Sequence, residues 1–315
     1  MPAAFRDVDP GDLLEQARRL ERGGALDRAL EAYRGAASSA VEDPALEATA
    51  LCGAARVLRA GCRWDDAITA ARRSAEAAQR AERADLVADA LNAEATVHHQ
   101  RGDAAAARAL YEQILSTSAD EQRRGVALQN LGSLAAASGD LAAAEQRFLQ
   151  SYRCFRAAEY ALGEVFALNN YACAALDQGN AEIASAMLEE ALERAREAQD
   201  LELVAIATKN HAQALGALGL RAEALDAASA ALGHFATVGD AVRQVECFEL
   251  MGDLNAADEG DADTALVCYR RGAALAREIG AEGHVTRLCD RIVAAQHASR
   301  ASRSPSGEDA PSPRS

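Results

Sequence analysis

The sequence predicts an all-α protein, an α-solenoid of about seven helical hairpins closed by a C-terminal capping helix. Three observations carry that expectation. Half of the 315 residues are hydrophobic but only 4% are aromatic, and alanine is abundant, so helices can approach one another closely. The six prolines are Pro2, Pro10, Pro44, Pro305, Pro311 and Pro313, which leaves nothing between 45 and 304 to interrupt a helix. The third observation is a period. A glycine turn followed by a small and then a large residue recurs in "GGALDRALEAY" from Gly23, "GCRWDDAITAA" from Gly61, "GDAAAARALY" from Gly102 and "GDLAAAEQRF" from Gly139. It continues in "GNAEIASAML" from Gly179, "GLRAEALDAA" from Gly219 and "GDADTALVCY" from Gly260. The small residues Ala29, Ala67, Ala107, Ala144, Ala184, Ala224 and Ala265 are spaced by 38, 40, 37, 40, 40 and 41 residues. A period that steady marks a repeat array.

The units fall at about 11–44, 45–82, 83–119, 120–158, 159–199, 200–238 and 239–279. Each reads as two helices, one on either side of its glycine. In the third unit Ala107, Leu110, Tyr111, Ile114 and Leu115 form one apolar stripe at helical spacing. Glycine ends the first helix in a left-handed cap, and an Asp or Asn after it caps the second. The second unit is irregular, with Cys62 displacing Gly61 by one place, and the seventh is one residue out of step around Gly252. After the last unit, Val285, Leu288, Cys289 and Ile292 share a face opposite Arg287, Asp290 and Arg291. That amphipathic stretch, 281–298, suits a helix closing the end of the array, which thus spans 11–298. The Ser/Pro/Arg-rich tail 299–315 is expected to be disordered.

The spacing of Leu131-Gly132, Gly139, Ala144 and Phe148 resembles the tetratricopeptide repeat (TPR). The small residues matching Gly132 in other units are Ala95, Ala172 and Ala212, and the large ones matching Phe148 are Tyr33, Tyr111, Leu188 and Tyr269. The resemblance covers about 11–279. It departs from the consensus in two ways: these units exceed the usual 34 or so residues by roughly one or two helical turns, and the proline after the second helix is missing. Long units of this kind are similar to those of bacterial peptide-sensing regulators and eukaryotic polarity adaptors. The resemblance implies a right-handed superhelix in which the small residues set the helix contacts, the large ones fill the space between repeats, and the first helices line a concave groove.

Alignment on the turn alanine places a polar ladder on that groove. Its rungs are Gln129 and Asn130, Asn169 and Asn170, and Lys209 and Asn210, each 40 residues from the next. One turn before each asparagine stand Val126, Phe166 and Ile206; three positions after it stand Ser133, Cys173 and Gln213. Asn92, Thr96 and His99 extend the ladder into the third unit without a matching asparagine. Amides offer an extended peptide both donors and acceptors, and apolar neighbours give side-chain pockets. Asparagine kept for local hydrogen bonding gives the same pattern, so both readings stay open. Chaperone-binding TPRs grip a C-terminal carboxylate with Lys or Arg one turn before the asparagine. Val126, Phe166 and Ile206 occupy those places here, which disfavours an Hsp70- or Hsp90-type partner; Arg56 and Arg59 offer a basic patch nearer the N-terminus.

Other chemistry finds little footing. Neighbours His98 and His99 point about 100° apart on a helix, so they cannot aim at one metal. His211, His234, His284 and His297 lack ligand spacing. No phosphate loop is present, and Lys209 is the only lysine. The seven cysteines form no CxxC pair and read as reduced thiols filling gaps. A net charge of −15 opposes nucleic acid. No secretory signal or membrane span is legible, so a cytoplasmic location is expected. The expected function is a non-catalytic scaffold without cofactor or metal that holds a protein or peptide segment in the groove. The alternative is a peptide-sensing regulator whose array changes conformation and controls a separate effector. The partner and the oligomeric state are not legible.

Overall fold

The computed structural model describes residues 9–40, 42–257 and 261–303. Every regular element among them is a helix. The first four hairpins are α1 (Pro10–Arg22) with α2 (Leu26–Ser39), α3 (Pro44–Ala60) with α4 (Trp64–Arg80), α5 (Ala84–Gln100) with α6 (Ala104–Thr117), and α7 (Glu121–Ala137) with α8 (Leu141–Ala157). Then follow α9 (Ala161–Asp177) and α10 (Ala181–Glu197), α11 (Leu201–Ala217) and α12 (Arg221–Val238), α13 (Ala241–Ala256) and α14 (Ala262–Glu278), and a final helix α15 (Glu282–Arg303). The described chain forms two compact units, one ending at Ala167 and the other beginning at Leu168, inside α9.

Within the first unit each helix packs on the next in sequence, and the odd-numbered helices also touch, α1 on α3, α3 on α5 and α5 on α7. Within the second, α11 touches α13 and α13 touches α15 in the same way. The turn alanines explain how the helices come so close. All seven, from Ala29 to Ala265, have 0% exposure. The large residues four positions later are buried too, among them Tyr33, Tyr111, Phe148, Leu188 and Tyr269. Their destinations differ from the expectation of a uniform fill between repeats. Tyr33 presses on Gly53 of the following hairpin, whereas Phe148 and Tyr269 press on Gly132 and Gly252 of their own. A Cβ on Gly132 would lie 2.6 Å from Phe148 Cε1, so the ring occupies the space a side chain would need.

The turns follow the expected chemistry with two shifts. Left-handed backbone occurs at Gly102, Gly139, Gly179 and Gly219, but at Gly24 rather than Gly23, and at Cys62 rather than Gly61. Register decides this: the left-handed site is the second residue after the helix, whatever stands there. Asp103, Asp140 and Asp261 cap the helices that follow them, while Asn180 makes no such bond. Pro10 and Pro44 open α1 and α3 behind the caps Asp9 and Asp43. Gly260 lies outside the described residues.

The closing helix is longer than expected. It runs to Arg303, because Ala295 and Ser299 are buried and the Ser299 hydroxyl donates to Asp263 at 2.9 Å. Residues 304–315 lie outside the described residues. No described helix is long and apolar enough to cross a membrane.

Two stability changes are expected. Gly132→Ala forces the new methyl into the Phe148 ring and should cost roughly 1–3 kcal/mol in denaturant titration, despite alanine's better helix propensity; pairing it with Phe148→Leu should recover part of the loss. Cys62→Gly relieves a left-handed non-glycine residue at φ 56°. It should stabilise by about 0.5–1 kcal/mol once glycine's extra chain entropy is subtracted, read as a higher Tm.

Candidate functional site

The odd-numbered helices of each unit share a face, and a cavity of the first unit opens there. It has a volume of about 410 Å³ and lies among α1, α3 and α5. Its wall carries Arg18 from α1, Thr49, Cys52, Arg56 and Arg59 from α3, and Asp89, Asn92 and Thr96 from α5. A smaller cavity of about 140 Å³ continues between α5 and α7, lined by Asp89, Asn92, Gln122, Arg123 and Val126.

Two buttresses fix the charges here. Arg56 makes a two-pronged pair with Glu21, Nε to Oε1 and Nη2 to Oε2 at 2.8 Å each, and the Tyr33 hydroxyl donates to the same carboxylate at 2.6 Å. Burial alone would raise the Glu21 pKa, but the hydrogen bonds from Arg56 and Tyr33 outweigh it and hold the carboxyl below its usual value. Burial, aided by Glu21, pushes the Tyr33 phenol up to about 12. Arg123 holds Asp89 in the same manner, with both nitrogen-to-oxygen distances 2.9 Å. Arg18 and Arg59 have no carboxylate within ion-pair distance among the described residues. Burial pushes the Cys52 thiol up to about 11 against the pull of Arg56, which leaves it a poor nucleophile near neutrality.

The amide ladder looks different from its expectation. Asn169 and Asn210 are buried, 8% and 6% exposed, and Asn210 Nδ2 donates to Asn169 Oδ1 at 2.6 Å. These two amides clasp α9 to α11 and are corrected from free groove contacts to interhelical bonds. Asn130 Nδ2 donates to Asn92 Oδ1 at 3.0 Å, so the third unit does supply a partner asparagine, one register place earlier than aligned. Adjacent odd helices bring these positions within hydrogen-bond reach, and buried amides satisfy each other first. Asn130, Asn170, Gln129 and Asn92 keep partial exposure.

The remaining ladder residues separate by what they bond. Thr96 and Ser133 donate to their own helices at Asn92 O and Gln129 O, 2.7 and 3.2 Å. The Lys209 ammonium is neutralised by Glu246 at 2.7 Å. Cys173 lies 3.8 Å from Asn210 Nδ2, and burial raises its pKa. Val126, Ile206 and His99 are half-buried, whereas Phe166 and Gln213 are exposed. His98 sits against Asp103 at 3.3 Å and Glu94 at 3.7 Å. Among the described residues no group of three His, Cys, Asp or Glu side chains could hold a metal ion.

In the second unit a cavity of about 310 Å³ opens among α11, α13 and α15, with Lys209, Gln213, Glu246, Glu249, Asp253, His284 and Arg287 on its wall. Its charges are paired internally. Arg287 reaches Glu249 at 3.4 Å, Arg291 reaches Asp253 at 3.3 Å, and the Tyr269 hydroxyl donates to Asp253 at 2.7 Å. Sequence reasoning missed Arg18, Thr49, Asp89, Glu246, Glu249 and Asp253. A signal for Arg18 existed: stepping back from Ser133 by the alanine spacings 37, 40 and 38 lands on Thr96, Arg56 and Arg18. The asparagines of the ladder do not extend to α3 or α1, so their recurrence does not point to these arginines.

No protein-family model matches the chain, and no curated protein resembles it in sequence. Solved structures do resemble it in fold. A Rap protein complexed with competence and sporulation factor is 16% identical with a TM-score of 0.63, over 91% of this chain and 85% of that one. The apo quorum sensor NprR from B. thuringiensis is 15% identical with a TM-score of 0.65, over 86% and 78%. A tetratricopeptide repeat protein from Parabacteroides merdae is 16% identical with a TM-score of 0.52, over 91% and 98%. The chain therefore has the helical-hairpin repeat fold of tetratricopeptide-repeat proteins.

Proposed function

We propose that the protein binds an extended peptide or protein segment on the odd-helix face of its units and performs no chemistry on it. The observation that carries this reading is the first unit's cavity system, where Thr49, Asn92, Thr96 and Val126 bring donors, acceptors and an apolar wall to one helix face. Main-chain amides of a ligand and its side chains need that mixture. Gln129, Asn130, Ser133, His99 and Phe166 are the further proposed contacts in the first unit, with Asn170, Cys173, Ile206, Lys209 and Gln213 in the second. Asn169 and Asn210 hold helices in place. Support also comes from the fold neighbours, one a Rap protein complexed with competence and sporulation factor and one the quorum sensor NprR. Burial pushes Cys52, the thiol on the cavity wall, up to about 11, which makes it a poor nucleophile near neutrality and supports a binding role for that wall.

Likeness in fold to a quorum sensor supports a second reading, in which binding changes the conformation of the array and controls a separate effector. Small-angle scattering separates the two: a ligand-dependent fall in the radius of gyration favours the sensor, and an unchanged profile the scaffold.

Affinity purification with mass spectrometry should recover a defined partner. Gln129→Ala with Phe166→Ala should then weaken its binding about tenfold or more in titration calorimetry while the helical circular dichroism stays unchanged; unaltered affinity would remove those residues from the site. Asn210→Ala behaves differently. It strands the buried Asn169 carbonyl and should cost about 1–3 kcal/mol of folding stability, measured by chemical denaturation without ligand.

A further inference from the structure

The charge on the first unit's odd-helix face runs against that of the protein. The chain carries −15, yet three arginines and one carboxylate line the cavity among α1, α3 and α5. The carboxylate, Asp89, is held by Arg123 from α7. Of the three arginines, Arg56 is held by Glu21. What remains is Arg18 on α1 and Arg59 on α3, both on the cavity wall and neither with a carboxylate partner among the described residues. A second, more open cavity shares Arg18 and Arg56 and adds Arg22 and Glu21, the carboxylate that Arg56 holds. The other cations facing odd helices contrast with this pair. Arg243 and Arg287 each reach an acid on the preceding odd helix, and Lys209 reaches one on the following odd helix.

We infer that this cavity is a carboxylate-binding subsite, and that the segment held by the first unit carries an acidic group, at its C-terminus or on an Asp or Glu side chain, which sits between Arg18 and Arg59. The inference rests on the proposed peptide binding and adds the chemistry of the ligand. Guanidinium groups offer forked donors that match a carboxylate, and Thr49, Asn92 and Thr96 supply neutral polar groups on the same wall. Glu21 and Asp89 are occupied by their own arginines, so they act as fixed supports for the wall. Both cations follow one turn or more after the register of Cys52 and Asn92, so the site is not the chaperone-type clamp, whose basic positions lie before it.

The test is selection from a random octapeptide library displayed with free C-termini, using the full chain. The wild type should enrich peptides rich in Asp and Glu or with a strong terminal preference, against the repulsion of its net charge. The Arg18→Gln/Arg59→Gln variant should lose that enrichment and bind the selected peptides at least tenfold more weakly, and the effect should shrink in high salt. Arg18→Glu/Arg59→Glu should turn the preference toward Lys and Arg. Melting curves for both variants check that they fold. Resynthesis with an amidated terminus separates the sources: lost affinity assigns the terminal carboxylate, retained affinity a side chain. Binders without acidic preference, or acidic preference that survives both variants, would overturn the subsite while leaving peptide binding intact. A library with no binders at all would overturn both.

Discussion

Every hairpin depends on one close contact, a turn alanine with no exposed surface at the start of its second helix. Its small methyl lets the helix nest closely, and in five of the hairpins a large residue four positions later, Tyr33, Tyr111, Phe148, Leu188 or Tyr269, is buried as well. Gly53, Gly132 and Gly252 carry the same logic to its limit, because a ring lies where their Cβ would stand. Interiors pack as densely as crystals, so a misplaced methylene at these sites has nowhere to go. Since the contact recurs in every unit, so does the placement of the first helices, and the odd-helix face follows from it.

Successive hairpins are also joined electrostatically. Glu21 with Arg56, Asp89 with Arg123, Glu202 with Arg243 and Glu249 with Arg287 each link an odd helix to the next odd helix. Partly exposed pairs of this sort add little stability singly. Their larger effect is on the surface that a ligand meets: they use up most of the charge between odd helices, so the charges left over become informative. In the second unit the cavity is neutralised by its own residues. In the first, two guanidinium groups have no carboxylate partner among the described residues.

The polar ladder shows how packing reassigns residues that a pattern marks out. Asn169 and Asn210 were conspicuous because amides recur there at a fixed interval, and the recurrence itself is what allows them to bond each other. A side chain repeated at one register on neighbouring helices meets its own copy before it meets a ligand. Thr96 and Ser133, which bond their own backbones, keep their place beside the cavity or the half-exposed face, but offer less than free hydroxyls.

The sequence by itself determined the helical class, the hairpin repeat and the buried small-and-large code, because all of these are local and periodic. Proline placement, glycine turns and the alanine interval report directly on the backbone. The fold neighbours agree with that reading. Tertiary structure alone decided that the left-handed turn residue is Cys62 and not Gly61, that α15 runs on to Arg303, and which polar side chains stay available. Those outcomes depend on distances between helices about 40 residues apart in sequence, where an offset of one residue changes the partner, as Asn92 and Asn130 show. Arg18 and Arg59 were visible as letters; that they line one cavity and have no carboxylate partner among the described residues is a property of packed helices.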